Sequence, residues 1–113
     1  MAWQAVSLIG NNAKLAIRKG YIAMKVKNIT GRTGQPVKNQ FIISTDDAVI
    51  FQSYNSVIAK KQGFGDDEKI YLDSYYWDYS TTTGKYRNQF LGMNKAKTKA
   101  AIKSGQIILT NLN

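Results

Sequence analysis

Lys95, Lys99 and Lys103 recur at a spacing of four, with Lys97 slightly to one side, so a helix over this stretch carries a ridge of ammonium groups. Like charges so placed oppose an isolated helix by roughly 0.2–0.5 kcal/mol per pair, and no acidic residue nearby in sequence relieves them. A nucleic-acid phosphate, or a carboxylate from the middle of the chain, would; the plainer reading is a solvated lysine face. A second basic set is Lys14, Arg18, Lys19, Lys25, Lys27 and Arg32, with Tyr21 between Lys19 and Lys25 as a ring placed to stack on a base. Gly31-Arg32-Thr33-Gly34 matches the G-x-x-G pattern of the KH loop that clamps a nucleic-acid backbone. That loop joins two helices, however, and this one lies between two strand-like runs. A hairpin loop presenting Arg32 to phosphate is the better reading.

Catalytic chemistry finds little material. Asp47 with Asp67 and Lys69 has the spaced acid and D-x-K of a metal-dependent nuclease, but Asp66 and Glu68 crowd the same run, which reads as a polar turn. Histidine and cysteine are both absent, so no Ser-His or Cys-His nucleophile pair and no thiolate metal site can form. No G-x-x-x-x-G-K phosphate loop is present. The expectation is a protein that is not an enzyme and has neither metal nor cofactor.

Aromatic residues cluster at Tyr75-Tyr76-Trp77-Asp78-Tyr79-Ser80. If a strand beginning at Lys69 continues through them, Tyr71, Tyr75, Trp77 and Tyr79 share one face. Surface rings amid basic residues stack bases, whereas Trp77 at the end of a strand fits a structural role against the helices.

The charge is sorted along the chain. All seven acidic residues lie between Asp46 and Asp78; the first 45 residues hold seven bases and no acid, and the last 35 hold six and no acid. Basic tracts of this kind concentrate a potential that favours polyanions, and the net charge is +9. Apolar residues make up 43% of the 113, enough for one modest core and one domain. The Met1-Ala2-Trp3-Gln4 start lacks a basic region followed by an apolar run, and no stretch approaches the roughly 20 apolar residues of a membrane span. A cytoplasmic protein without a membrane association is expected.

The elements follow from periodicity and stop signals. Asn12 to Lys19 reads as a short helix closed by Gly20, and Tyr21 to Asn28 as a strand with Ile22, Met24 and Val26 facing the core. Strands are expected at Lys38–Ser44, Ala48–Gln52, Ser56–Lys61 and Lys69–Ser74, joined by hairpins at Thr30–Pro36, Ser53-Tyr54-Asn55 and Gln62–Glu68. Ser80 and Asn94 cap helices over Thr81–Leu91 and Lys95–Ser104, Gly105 ends the second, and Gln106–Thr110 closes the sheet as a final strand. The fold class is α+β: a small antiparallel sheet of about five strands with three short helices. Residues 13–28 also align without gaps on residues 98–113, which two solutions to one local problem, a basic helix stopped by glycine, explain.

Ser53-Tyr54-Asn55-Ser56-Val57-Ile58-Ala59, Ile70-Tyr71-Leu72, Trp77-Asp78-Tyr79-Ser80 with Thr82 and Thr83, Gln89-Phe90-Leu91 and Ala101-Ile102-Lys103-Ser104-Gly105 carry a resemblance. From Phe51 to Ile107 the chain resembles a family of small proteins of unknown function encoded by phages and mobile elements of Gram-positive bacteria. The resemblance implies a phage-type accessory role, in DNA handling or in inhibition of a host defence system such as CRISPR. Together the residues predict a protein that binds nucleic acid through Lys14, Arg18, Lys19, Tyr21, Lys25, Lys27, Arg32, Lys95, Lys97, Lys99 and Lys103. The alternatives are an inhibitor docking on a host nuclease or its guide RNA, and a structural virion component.

Overall fold

The computed structural model describes residues 24–113. Six strands form one sheet in sequential order: β1 (Lys25–Thr30), β2 (Pro36–Ser44), β3 (Ala48–Ser53), β4 (Ser56–Gln62), β5 (Lys69–Asp73) and β6 (Ile107–Thr110). The first five make an antiparallel meander; β6 joins β5 in parallel, after helices α1 (Thr81–Leu91) and α2 (Lys95–Ser104). The domain is α+β as expected, but the sheet is mixed and has six strands. A parallel return needs a crossover of a dozen or more residues, which the two helices supply. Of the three expected helices, that at Asn12–Lys19 lies outside the described residues, as do Lys14, Arg18, Lys19, Tyr21 and Ile22.

The helices cover one face of the sheet. Phe51, Ala59 and Leu72 stand side by side across β3, β4 and β5, and with Ile58, Ile107, Leu91 and Ala101 they form the buried core. Burying each of the larger of these contributes roughly 1.5–3 kcal/mol. A bulge opposite Phe51 inserts Ile58 into β4, so that Ile58 and Ala59, consecutive in sequence, both turn inward. The Phe90 ring of α1 lies 5.9 Å from that of Phe51, and Lys61 Nζ donates to the Phe90 carbonyl at 2.8 Å.

Two expectations about faces are corrected. Met24 and Val26 do not enter the core: they are 63% and 60% exposed. In register, Lys27 sits beside Ile42 and Val26 beside Ile43, so it is Lys27 and Ile29 that share the helix side, and of these only Ile29 is buried. Strand alternation offers two faces, and the helices, not the strand, choose between them. The other correction concerns Tyr71, Tyr75, Trp77 and Tyr79, which do not share a strand face. β5 stops at Asp73, and residues 74–79 form a series of turns.

Turns of a meander alternate between its two ends. One end gathers Asp46 and Asp47, between β2 and β3, with Asp66, Asp67 and Glu68, between β4 and β5. Gly63 makes that second turn possible: its φ is +82°, and a Cβ there would meet the Asp67 carbonyl oxygen at 2.8 Å. The other end gathers the Arg32 loop, the Tyr54-Asn55 turn and the segment leading from β5 into α1.

Candidate functional site

Asp73 shapes this second end. Its buried carboxylate accepts hydrogen bonds from the Tyr75 and Tyr76 amides at 3.1 and 2.8 Å, and through its other oxygen from the Leu112 amide at 2.8 Å. The Trp77 amide donates to the Asp73 carbonyl at 3.0 Å, which folds the chain back on itself. An aspartate side chain satisfying the amides two and three residues on is a local rival to strand pairing, and here it ends β5. Burial alone would raise the Asp73 carboxyl, but the amides of Leu112, Tyr76 and Tyr75 and the Asn113 side chain together hold it below its ordinary value of 3.8.

The turn displays three tyrosines as a cluster. Ring centroids are 4.7 Å apart for Tyr75 and Tyr76, 5.4 Å for Tyr76 and Tyr79, and 6.4 Å for Tyr75 and Tyr79. Tyr75 is 73% and Tyr79 64% exposed. Trp77, by contrast, is half-buried and packs on the core, the structural role its position predicts.

Beyond the tyrosines, Ser80 caps α1, its Oγ accepting from the Thr83 amide at 3.1 Å. Arg87, two turns into the helix, is buried with its charge. Its Nη1 donates to the Trp77 carbonyl at 2.8 Å and to Asp78 Oδ1 at 3.3 Å, and its Nη2 to Asn88 Oδ1 at 2.8 Å. The guanidinium lies 5.2 Å from the Trp77 ring centroid on one side, with Gly84 on the other. Asp78 also binds Lys95 Nζ at 2.8 Å. That lysine is the main reason the Asp78 carboxyl lies below its ordinary value; burial opposes the shift, and Arg87 adds to it. Asp78 thus serves two cations. With Ser80, Gly84 and Lys85 these residues line a groove of about 630 Å³, in which Arg87 and Lys95 pair with the one carboxylate and the Lys85 ammonium lies 5.3 Å from the Tyr86 ring centroid.

On the other side of Ser80 is a second cavity, of about 330 Å³, walled by Tyr54, Tyr76 and Tyr79 and lined by the hydroxyls of Ser53, Ser56 and Thr83. Ser53 and Thr83 are both buried and bond to each other at 3.1 Å. Ser80 lines both cavities, so a basic compartment and an aromatic one meet at the start of one helix.

Those of the expected basic residues that are described do not converge. Lys25 and Lys27 are exposed on β1, Arg32 is exposed in the β1–β2 loop, and Lys97, Lys99 and Lys103 are exposed on α2. Since α2 packs on β6 and β1 is the opposite edge, the two sets are about 24 Å apart across the sheet, at roughly 4.8 Å per strand. Among the described residues of the expected set, Lys95 alone reaches the groove, and the carboxylate that relieves its ridge comes from the middle of the chain, as Asp78. Lys85, Arg87, Tyr54, Tyr75 and Tyr79 complete the site and were not among the expected binding residues. The aromatic run was visible in the sequence; what brings Tyr54 beside it is pairing between strands.

The site and the fold define a small α+β domain with paired basic and aromatic compartments at one end of a mixed sheet. The chain belongs to a family of unknown function (DUF8033), whose pattern matches residues 24–108. No curated protein matches the chain, and no solved structure matches it. Among the described residues no helix is long and apolar enough to cross a membrane, and no group of three or more acidic side chains could hold a metal ion.

Proposed function

We propose that the protein is a non-enzymatic nucleic-acid-binding accessory protein of phage type, acting inside the host cell. The observation that carries this reading is that exposed Tyr79, clustered with Tyr75 and Tyr76, lines a cavity that meets the Lys85–Lys95 groove at Ser80. Rings offer sequence-tolerant stacking and the exposed ammonium groups of Lys85 and Lys95 track phosphate, which is the usual division of labour in single-strand binders. Local acids do not oppose it: Asp73 is buried on amides, Asp78 is occupied by Arg87 and Lys95, and the other five carboxylates belong to the far end of the sheet.

Titration of a labelled oligonucleotide at several ionic strengths tests the proposal. Binding should weaken with salt at a slope of about −0.7 per phosphate neutralised on a single strand. Lys85→Gln should flatten that slope by about one unit. Absence of binding at about 50 mM salt overturns the reading. A competing role, as an inhibitor docking on a defence nuclease, is favoured by one feature: Asp46, Asp47, Asp66, Asp67 and Glu68 gather on two neighbouring turns, ready for a basic protein surface. Capture of such a nuclease, lost on replacing Asp66, Asp67 and Glu68 and indifferent to the tyrosines, would decide for it.

A further inference from the structure

We infer that the tyrosine-walled cavity takes one unpaired base of a single-stranded nucleic acid, a step that rests on the reading above and makes it specific. Three observations converge on this cavity.

Tyr54 is the first. Its φ is +55°, the left-handed region that turns ordinarily give to glycine or asparagine. An aromatic residue there is strained, and Tyr54 is 57% exposed, so packing does not repay the strain. The turn is nonetheless held: the Tyr54 amide donates to the Asn39 carbonyl at 2.7 Å, and Gln52 Nε2 donates to the Tyr54 carbonyl at 2.8 Å. A strained residue that the fold does not need marks a position kept for something else.

The second observation is the cavity's floor. The Ser53 and Thr83 hydroxyls share one hydrogen bond, which uses one of their two protons. The other proton, and lone pairs on both oxygens, remain for a guest. Gln40, the cross-strand neighbour of Ser53, does not line the cavity, so the polar floor consists of the Ser53 and Thr83 hydroxyls with Ser56 beside them. Polar groups this well buried are ordinarily paired. A base edge carries the donors and acceptors that would meet such a floor.

Size is the third. At about 330 Å³ the cavity is at the small end of the roughly 300–1,000 Å³ range of ligand pockets, suited to one planar ring system between Tyr54 and Tyr79. A base held in a duplex cannot enter it. The neighbouring groove, across Ser80, is placed for the adjoining phosphate.

The test compares oligo(dT), oligo(dC), oligo(dA), oligo(rU) and a blunt-ended DNA duplex as ligands for the wild type, Tyr54→Gly and Thr83→Val, with melting temperatures measured alongside. Tyr54→Gly should melt higher, because the turn loses its strain, and yet bind the single strands roughly 5- to 150-fold more weakly, the value of one stacked base. Binding to the blunt-ended duplex should be unchanged. Thr83→Val, which keeps the shape and removes a hydroxyl, should alter the ranking among oligo(dT), oligo(dC) and oligo(dA). Oligo(dT) against oligo(rU) tells whether the strand is DNA or RNA. If Tyr54→Gly melts higher and loses no single-strand affinity, the base pocket is wrong while nucleic-acid binding stands. Wild type that binds none of these ligands removes both. Thymidine or uridine monophosphate displacing the oligonucleotide at equal concentration would make the ligand a free nucleotide and overturn the assignment to a strand.

Discussion

At the scale of single residues, Asp73 has the widest reach. One carboxylate ends β5, sets the tyrosine turn and fastens Leu112, so its ionisation is tied to the fold. Its folded value lies below 3.8, and the unfolded chain therefore binds more protons at acid pH. The stability it lends is complete above that value and is lost as the pH falls through the lower, folded one. Asp78 acts in the same direction. Thermal melts of the wild type between pH 7 and pH 2 should show stability falling away below about pH 4. Asp73→Asn should be less stable at pH 7 by about 3 kcal/mol, the loss of charge-assisted bonds to amides, and its further decline on acidification should be shallower. An identical pH profile in the variant would show that Asp73 is not the coupled group. The local part of this arrangement, two amides close behind an aspartate, is a pattern sequence can reveal; the bond to Leu112, 39 residues away, is not. Reading Tyr75 to Tyr79 as a continued strand followed from their alternation, which the Asp73 side chain overrides.

The elements themselves were largely legible, because their signals are local. Ser80 and Asn94 cap α1 and α2 through the Thr83 and Lys97 amides, and Gly92 and Gly105 close them in left-handed conformation. Ser80→Ala should cost about 1 kcal/mol. Gly84, in the middle of α1, gives the opposite expectation. Its φ is ordinary, and a Cβ would meet the Arg87 guanidinium at 3.6 Å, a normal contact. Gly84→Ala should therefore stabilise the protein by about 0.5–1 kcal/mol through helix propensity. Denaturant melts decide; a loss of stability would mean that Arg87 needs the space. The choice of faces was read wrongly from the sequence, with Met24 and Val26 placed in the core, since Val26 and Lys27 both fit an alternating strand. The landing of α1 beside β1, with Gln89 Nε2 donating to the Thr30 carbonyl at 2.9 Å, is a contact across 59 residues that no local window contains.

For the molecule as a whole, topology decides what the site contains. Tyr54, Tyr79 and Lys95 come from a hairpin turn, a β-to-α connection and the second helix, and only the sheet order together with the α1–α2 crossover makes them neighbours. Charge sorting along the chain pointed to a polyanion partner, but not to the end of the sheet where the acids are used up internally.

The last residue offers a practical handle on that geometry. The Asn113 side chain imitates a strand: its Oδ1 accepts from the Val57 amide at 2.7 Å and its Nδ2 donates to the Val57 carbonyl at 2.9 Å. Val57 adjoins Ser56, which lines the tyrosine cavity, so the tail is stitched down beside the pocket. Because the chain has no cysteine, one cysteine appended after Asn113 takes a dye at a unique position next to the site, and Asp67→Cys takes the same dye at the opposite end of the sheet. Emission from the first should change when an oligonucleotide binds, and emission from the second should not. A response reversed between the two would place the ligand on the acidic turns. The same stitch bears on protein production: a bulky tag fused behind Asn113 starts beside Val57, one residue from the cavity-lining Ser56, so a purification handle belongs elsewhere.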